Sequence, residues 1–419
     1  MPTFKEGDRI PLALGNFNIT IKSYIAQGGQ GEVYKVSYMG RDYALKWYSK
    51  YIPSQEFYEN LLNNVKKGSP GEHFLWPRAV TAKYKGTFGY VMELIPPEYE
   101  EYSSFLLGTA RFSSWSMLIK AALNIVESFF LLHSSGYSYQ DLNEGGFFIN
   151  PTNGDVLICD NDNVAPFGTN LGVKGMPKYM APEVVTNRTR PNTHTDRFSL
   201  AVILFRLFYI DHPLEGKYTI QFPLTDSIGA DLFGENPLFI YDPNDDKNRP
   251  DEFAHPNVIS RWNLFPPDLN ITFIKAFTNG MKDINGRITE AQWIETLIKV
   301  RSMLVTYNGN EQFVNAYKPS EMPEYCRVLK TENMVIALTE NSYVYKCQTD
   351  SASMEYDTVT GVVKASKSDK DILGLGNVTE QNWTVTLPNK NPVTVKPKAF
   401  APLIPGTKIN FGNTIATVF

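Results

Sequence analysis

Tyr139-Gln140-Asp141-Leu142-Asn143 follows directly on an apolar helical run, and a short strand-like stretch, Val156-Leu157-Ile158-Cys159, then ends in Asp160-Asn161-Asp162-Asn163. Working outward from the first aspartate, Leu118, Ala121, Ala122, Ile125, Phe129 and Leu132 recur at helical spacing between Met117 and His133, and Gly136 supplies a stop. Two acidic positions, each placed just after an apolar element, suit one general base and one metal ligand.

Toward the N-terminus, apolar positions alternate from about Asn16 to Lys46, with Met39-Gly40-Arg41-Asp42 as a hairpin turn. Between two of these strands lies Ala26-Gln27-Gly28-Gly29-Gln30-Gly31-Glu32-Val33. Glycines let backbone N–H groups approach phosphate oxygens, although an unliganded hairpin turn has the same composition. The strand Tyr43-Ala44-Leu45-Lys46 then puts one lysine on a defined face, and a following helical segment offers Glu59 as its partner. Toward the C-terminus, Gly175-Met176-Pro177-Lys178-Tyr179-Met180-Ala181-Pro182-Glu183 and Asp196-Arg197-Phe198-Ser199-Leu200 complete an ordered set.

Over roughly residues 16–304 this order resembles the eukaryotic-type protein kinase superfamily, including its bacterial Ser/Thr members. The resemblance implies an α+β, bilobal fold with a β-rich N-lobe (about 1–95) and a helical C-lobe (about 96–305). It implies that ATP is held by Gly28, Gly29, Gly31, Val33, Ala44, Lys46 and Glu59, by Met92 as gatekeeper, and by the hinge Glu93-Leu94-Ile95. Asp141 matches the catalytic base, Asp160 the aspartate that holds Mg²⁺ (or Mn²⁺), and Glu183, Asp196 and Arg287 the structural positions, with Arg287 as partner of Glu183.

The departures from the family pattern are specific. Gln140 stands where an arginine contacts a phosphorylated activation loop, and Thr169 is the sole serine or threonine between Asp160 and Glu183. Glutamine cannot make a charge-assisted pair with phosphate, so activity is expected not to need activation-loop phosphorylation. Asn143 replaces the catalytic-loop lysine, and Gly146 replaces the metal-binding asparagine, leaving Asn143 or Asp162 as substitute oxygen donors. These losses keep open a nucleotide-binding pseudokinase scaffold, a kinase-fold transferase with a non-protein acceptor, and nucleotidyl transfer.

Residues 215–270 read as an irregular insertion pinned by aromatics such as Phe239, Tyr241 and Trp262, and 306–330 as a linker. Beyond it, residues 331–419 carry short strands at 335–338, 344–345, 358–363, 383–386, 392–395, 408–411 and 414–418, which suggests a small β-sandwich. Gly376-Asn377-Val378-Thr379-Glu380-Gln381-Asn382-Trp383 and Pro405-Gly406-Thr407-Lys408-Ile409-Asn410-Phe411-Gly412 resemble a forkhead-associated domain. No arginine follows Arg327 to bind phosphothreonine, so a docking or dimerisation module is expected. The combination also resembles bacterial kinases associated with a phosphatase and a von Willebrand A-type protein.

In 419 residues, 42 % apolar and 20 % charged side chains exclude a disordered chain, and a net charge of −4 argues against a general nucleic-acid binder. Three dispersed cysteines and five scattered histidines suggest neither a disulfide framework nor a zinc site. The charged N-terminus lacks an apolar signal core, and the apolar run 198–209 is interrupted by Arg206 and too short to cross a membrane, so a cytoplasmic protein is expected.

Overall fold

The computed structural model describes residues 2–172, 175–223, 225–366 and 372–419. They form two compact units, residues 1–113, 120–259 and 273–291 in the first, and 114–119, 260–272 and 292–419 in the second.

The first unit opens with a six-stranded antiparallel sheet in the order Arg9–Pro11, Asn18–Gln27, Gly31–Tyr38, Arg41–Tyr48, Gly89–Met92, Ala79–Val80. Met39 and Gly40 turn the hairpin with φ of +50° and +79°, the conformation that matches the twist of the flanking strands. The pleat sorts the residues of Arg41–Tyr48. Leu45 and Trp47 join Ile10, Ile19, Ile21, Tyr34 and Val91 in one buried cluster. Ala44 and Tyr48, with Lys46 between them, face the other side, where Phe57, Leu61, Tyr90 and Met92 pack. Gly31 is required by close approach, since a Cβ there would lie 1.9 Å from the Trp47 carbonyl oxygen.

Helix Gln55–Lys67 starts at Ser54, whose hydroxyl accepts from the Phe57 amide, and ends at Gly68 with φ +83°. It buries Phe57, Leu61 and Asn64. The helical part of the unit comprises Thr193–Tyr209 and the greater part of Trp115–Ser134 and of Pro267–Lys282, with a small antiparallel pair, Phe147–Ile149 and Val156–Ile158, carrying the two acidic segments. Among the described residues Trp115–Ser134 is long and apolar enough to cross a membrane, and most of it is buried in the fold. Within 215–259, irregular chain and short helices are pinned through Phe239, whose ring lies 5.2 Å from Phe277 and 6.0 Å from Phe205.

The second unit carries a β-sandwich. A six-stranded sheet runs Val335–Leu338, Arg327–Lys330, Ile415–Val418, Lys408–Asn410, Trp383–Thr386, Val393–Val395. A four-stranded sheet runs Tyr343–Tyr345, Val359–Ala365, Leu373–Asn377, Phe400–Pro402. Leu329, Ile336, Val385 and Ile409 from one sheet and Val344, Val363, Leu375 and Ala401 from the other share a single core. The expected 306–330 linker is structured instead. Leu304–Tyr307 and Asn310–Phe313 form a hairpin, and Arg327–Lys330 is an interior strand of the larger sheet. The cause is apolar: Val305, Ala316, Cys326 and Val328 build a core with Met303, Val335 and Ala337, and residues 292–305 fall in the second unit as well.

Candidate catalytic cleft

Strand geometry delivers Lys46 to the acidic turn. Its Nζ lies 2.8 Å from Asp160 Oδ1 and 3.1 and 3.2 Å from the two oxygens of Asp162. Asp162 is wholly buried and accepts further hydrogen bonds from the Tyr48 hydroxyl at 2.5 Å and the Tyr90 hydroxyl at 3.2 Å. Burial alone would lower the pKa of the Lys46 ammonium, but the facing charges of Asp160 and then Asp162 outweigh it and raise the pKa. Burial, reinforced by the Asp162 charge, lifts both phenols well above their usual range, so they remain donors.

The two carboxylates differ in access. The Asp160 side chain is 39 % exposed and that of Asp162 0 %. Asp162 was expected to serve as a metal ligand; with its oxygens enclosed by Lys46, Tyr48 and Tyr90, it has no face open to an ion. Asn143, the other substitute donor, has its Oδ1 occupied by the Gly145 amide at 3.0 Å, while its Nδ2 donates to the Asp141 carbonyl at 3.0 Å and to Asp141 Oδ1 at 3.2 Å. Among the described residues no three His, Cys, Asp or Glu side chains form a metal cage. The donor set therefore fits one hard divalent ion held by Asp160 with a nucleotide's phosphates, the usual Mg²⁺ arrangement.

The catalytic-loop segment is hung from Asp196. Its Oδ2 accepts from the Tyr139 amide at 2.6 Å and lies 3.2 Å from His133 Nε2, and its Oδ1 accepts from the Gln140 amide at 3.1 Å. His133 also meets Glu290 at 2.9 Å, which in turn accepts from Arg197. Tyr139 reaches across to donate to the Cys159 carbonyl. A Cβ at Gly146 would lie 3.0 Å from that same hydroxyl, so Tyr139 occupies the space that a longer side chain at 146 would need. Burial, with the neighbouring Asp160 and Asp162 charges, raises the Asp141 pKa to about 6, against the opposing Asn143 hydrogen bond and Lys46 charge.

Glu59 does not join the cleft. It is exposed and accepts from Gln55 at 2.7 Å, because a helix that buries Phe57, Leu61 and Asn64 turns position 59 outward. The helix instead touches the acidic turn through Asn60 and Asn64, both donating to the Val164 carbonyl at 2.8 Å. Val33 pairs with Lys46 and Ala44 with Met92, and Val33, Ala44, Met92 and Leu94 belong to one apolar cluster. Hinge residue Glu93 is paired with Arg78 at 3.0 Å, and Ile95 follows it half-buried. In the Gly-rich turn the Gly28 amide donates to the Gly31 carbonyl at 2.8 Å, and a Cβ at Gly29 would meet nothing within 4 Å. Glu183 and Arg287 are paired at 2.8 Å.

Gln140 donates to the Thr169 carbonyl at 2.6 Å, tying the catalytic loop to the following segment without any charge. Thr169→Ala and phosphatase treatment are both expected to leave activity unchanged. A loss beyond about tenfold, the scale of a broken phosphate–arginine pair, would contradict this. Tyr48, Tyr90, His133 and Glu290 were not singled out from the sequence. For Tyr48 a signal existed, since it stands two residues beyond Lys46 on an alternating strand and must share its face.

A protein kinase domain model matches residues 19–227. Protein kinase YegI of Escherichia coli K12 is 26 % identical over 303 residues, covering 68 % of this chain and 45 % of that protein. YegI of Escherichia coli O157:H7 gives 26 % over 298 residues, covering 67 % and 44 %. A probable serine/threonine-protein kinase of Dictyostelium discoideum is 27 % identical over 198 residues, covering 44 % and 36 %. The chain thus spans less than half the length of the curated relatives it matches. With the strand lysine, the acidic turn and the Asp196-anchored loop set in the expected order, residues 19–227 belong to the protein kinase domain family.

Proposed function

We propose that the first unit is an ATP-dependent protein kinase that transfers the γ-phosphate to a serine or threonine hydroxyl. The observation that carries this reading is the grouping of Lys46 with Asp160 at 2.8 Å beside a loop whose Asp141 has a pKa near 6. Lys46 orients the phosphates, and Asp141 accepts the hydroxyl proton and aligns the oxygen for in-line attack. Asn143 holds Asp141 through its side-chain amide. A divalent ion held by Asp160 would neutralise the triphosphate charge. The second unit is proposed as a docking or dimerisation module, with a phosphatase and a von Willebrand A-type protein as candidate partners.

One observation favours a rival. Tyr139 fills the space beside Gly146, so no side chain there can hold a second ion, and a pseudokinase that binds nucleotide without transfer has the same geometry. Incubation with γ- and α-labelled ATP across a Mg²⁺ titration separates the readings. The expected result is γ-label on protein, with Asp160→Ala raising the Mg²⁺ requirement at least about tenfold because it removes the exposed carboxylate of the acidic turn. Label from the α-position would mean nucleotidyl transfer. Binding without either label would mean a pseudokinase. An Asp160→Ala protein with the parent's Mg²⁺ response would remove Asp160 from the metal site.

A further inference from the structure

The helix that should orient the strand lysine offers it nothing. Helix Gln55–Lys67 turns Phe57 and Leu61 inward and Glu59 to solvent, yet Lys46 is not short of a counter-charge. We infer that Asp162 is the positioning residue for Lys46, so that the lysine is aimed by the acidic turn rather than by the helix. This rests on the reading of Lys46 as a ligand of the nucleotide's phosphates.

The hydrogen bonds around Asp162 support a fixed partner. Both of its oxygens contact Lys46 Nζ, and each also accepts from one tyrosine hydroxyl. Lys46 and Tyr48 come from one strand and Tyr90 from its hydrogen-bonded neighbour, in which Lys46 is paired with Tyr90. The carboxylate is thus clamped by three groups of a single sheet. The turn itself is held as well: the Asn161 side chain donates to the Ile158 carbonyl at 2.8 Å, and Asn60 and Asn64 fasten Val164. The helix therefore secures the backbone of the turn, while the charge contact with lysine comes from the turn.

Access divides the labour between the two aspartates. Asp160, 39 % exposed, can turn toward a metal–nucleotide, whereas Asp162, enclosed on all sides, stays with Lys46. Without the Asp162 charge, Lys46 and Asp160 would be left as an exclusive pair, and each would be withdrawn from the nucleotide. The neutral phenols of Tyr48 and Tyr90 keep the Asp162 oxygens aligned without competing for the ammonium.

The test is calorimetric binding of Mg·ATP and of adenosine to the full chain, in the parent and in Lys46→Ala, Asp162→Asn, Tyr48→Phe and Glu59→Gln. Asp162→Asn is expected to weaken Mg·ATP roughly ten- to hundredfold, the worth of one charge-assisted contact, and to leave adenosine binding unchanged. Tyr48→Phe should act in the same direction by a smaller factor, and Glu59→Gln should change neither ligand. A purely structural role for Asp162 would not separate the two ligands. If Asp162→Asn loses both together, Tyr48→Phe decides: a selective loss of Mg·ATP supports the inference and parent-like binding overturns it. Parent-like Mg·ATP affinity in Asp162→Asn beside a loss in Lys46→Ala also overturns it, as does a Glu59→Gln loss equal to that of Lys46→Ala. If Lys46→Ala itself binds Mg·ATP like the parent, the phosphate-ligand reading fails and takes this inference with it.

Discussion

Replacing Asp141 by asparagine is expected to lower phosphotransfer by at least about a hundredfold while nucleotide affinity and Tm stay near the parent's. The substitution is isosteric and removes only the ability to accept a proton. Asn143 can still bond to the loop carbonyl of residue 141, so the loop keeps its shape. The same group predicts the pH profile. With the Asp141 pKa raised to about 6 by burial and by the neighbouring Asp160 and Asp162 charges, the base is largely protonated at pH 5 and free above pH 7. Transfer should therefore rise through a midpoint near 6 and then level off. A rate that is flat from pH 5 to 8, or an Asp141→Asn protein retaining a tenth or more of the parent's rate, would remove Asp141 from the role of base.

The second large effect concerns stability. His133, 4 % exposed in its side chain, lies between the carboxylates of Asp196 and Glu290. Burial alone would push its pKa down, but the hydrogen bonds and charges of those two carboxylates raise it to about 9. His133→Ala leaves both carboxylates buried with a cation missing, and should cost on the order of 3–5 kcal/mol. The wild-type protein should show the linked pH dependence. Below pH 6.5 the histidine is protonated whether folded or unfolded, and its contribution is complete. As pH rises through about 9 that contribution is lost, roughly 3 kcal/mol in all from the difference between the two pKa values. Thermal melts from pH 6 to 10 should show Tm falling across this window in the parent and much less in the mutant. Equal slopes in the two proteins would contradict the assignment.

The parts of the fold legible in the sequence were those where one local rule decides. Met39-Gly40 makes a hairpin turn, alternation at Ala44 and Lys46 places the lysine, and the apolar period after Met117 gives a helix. In the second unit, Trp383–Thr386 alternates cleanly and reads directly as a strand. Leu373–Asn377 does not, because two of its five residues are glycines. The fold supplies what those glycines lack: a Cβ at Gly376 would meet the Phe400 ring at 2.8 Å, so the facing strand lays an aromatic over them. Phe400–Pro402 was missed for the complementary reason, since proline weakens a strand reading at any position.

In the candidate cleft, motif order singled out Lys46, Asp141, Asp160 and Asp196, which the fold brings together, but misjudged the charges around them. Glu59 was chosen because it is a carboxylate on the right helix. Its orientation depends on which face Phe57 and Leu61 bury, which is a matter of packing. Asp162 was read as a metal donor because oxygen donors were short, and the two tyrosines that enclose it come from residues 48 and 90, distant in sequence. Gly146 looked like a simple loss, whereas Tyr139 shows that the vacated space is filled.

The path of the strand Ile415–Val418 bears on how the second unit assembles. It lies between Arg327–Lys330 and Lys408–Asn410, so the larger sheet is completed by pairing Leu329 with Val418 across nearly the whole sequence of the sandwich. During synthesis, no ribosome-bound intermediate lacking residues 415–418 can close this sheet. Its edge on Arg327–Lys330 stays open to solvent and to other strands until the end of the sandwich emerges. The sheet of the first unit has the opposite logic: Asn18–Gln27, Gly31–Tyr38 and Arg41–Tyr48 are sequential neighbours that pair as they appear. Local pairings of this kind form fast, and long-range ones are slow and exposed to aggregation. The sandwich is thus expected to close more slowly than the sheet of the first unit, with its Arg327–Lys330 edge unpaired in the meantime.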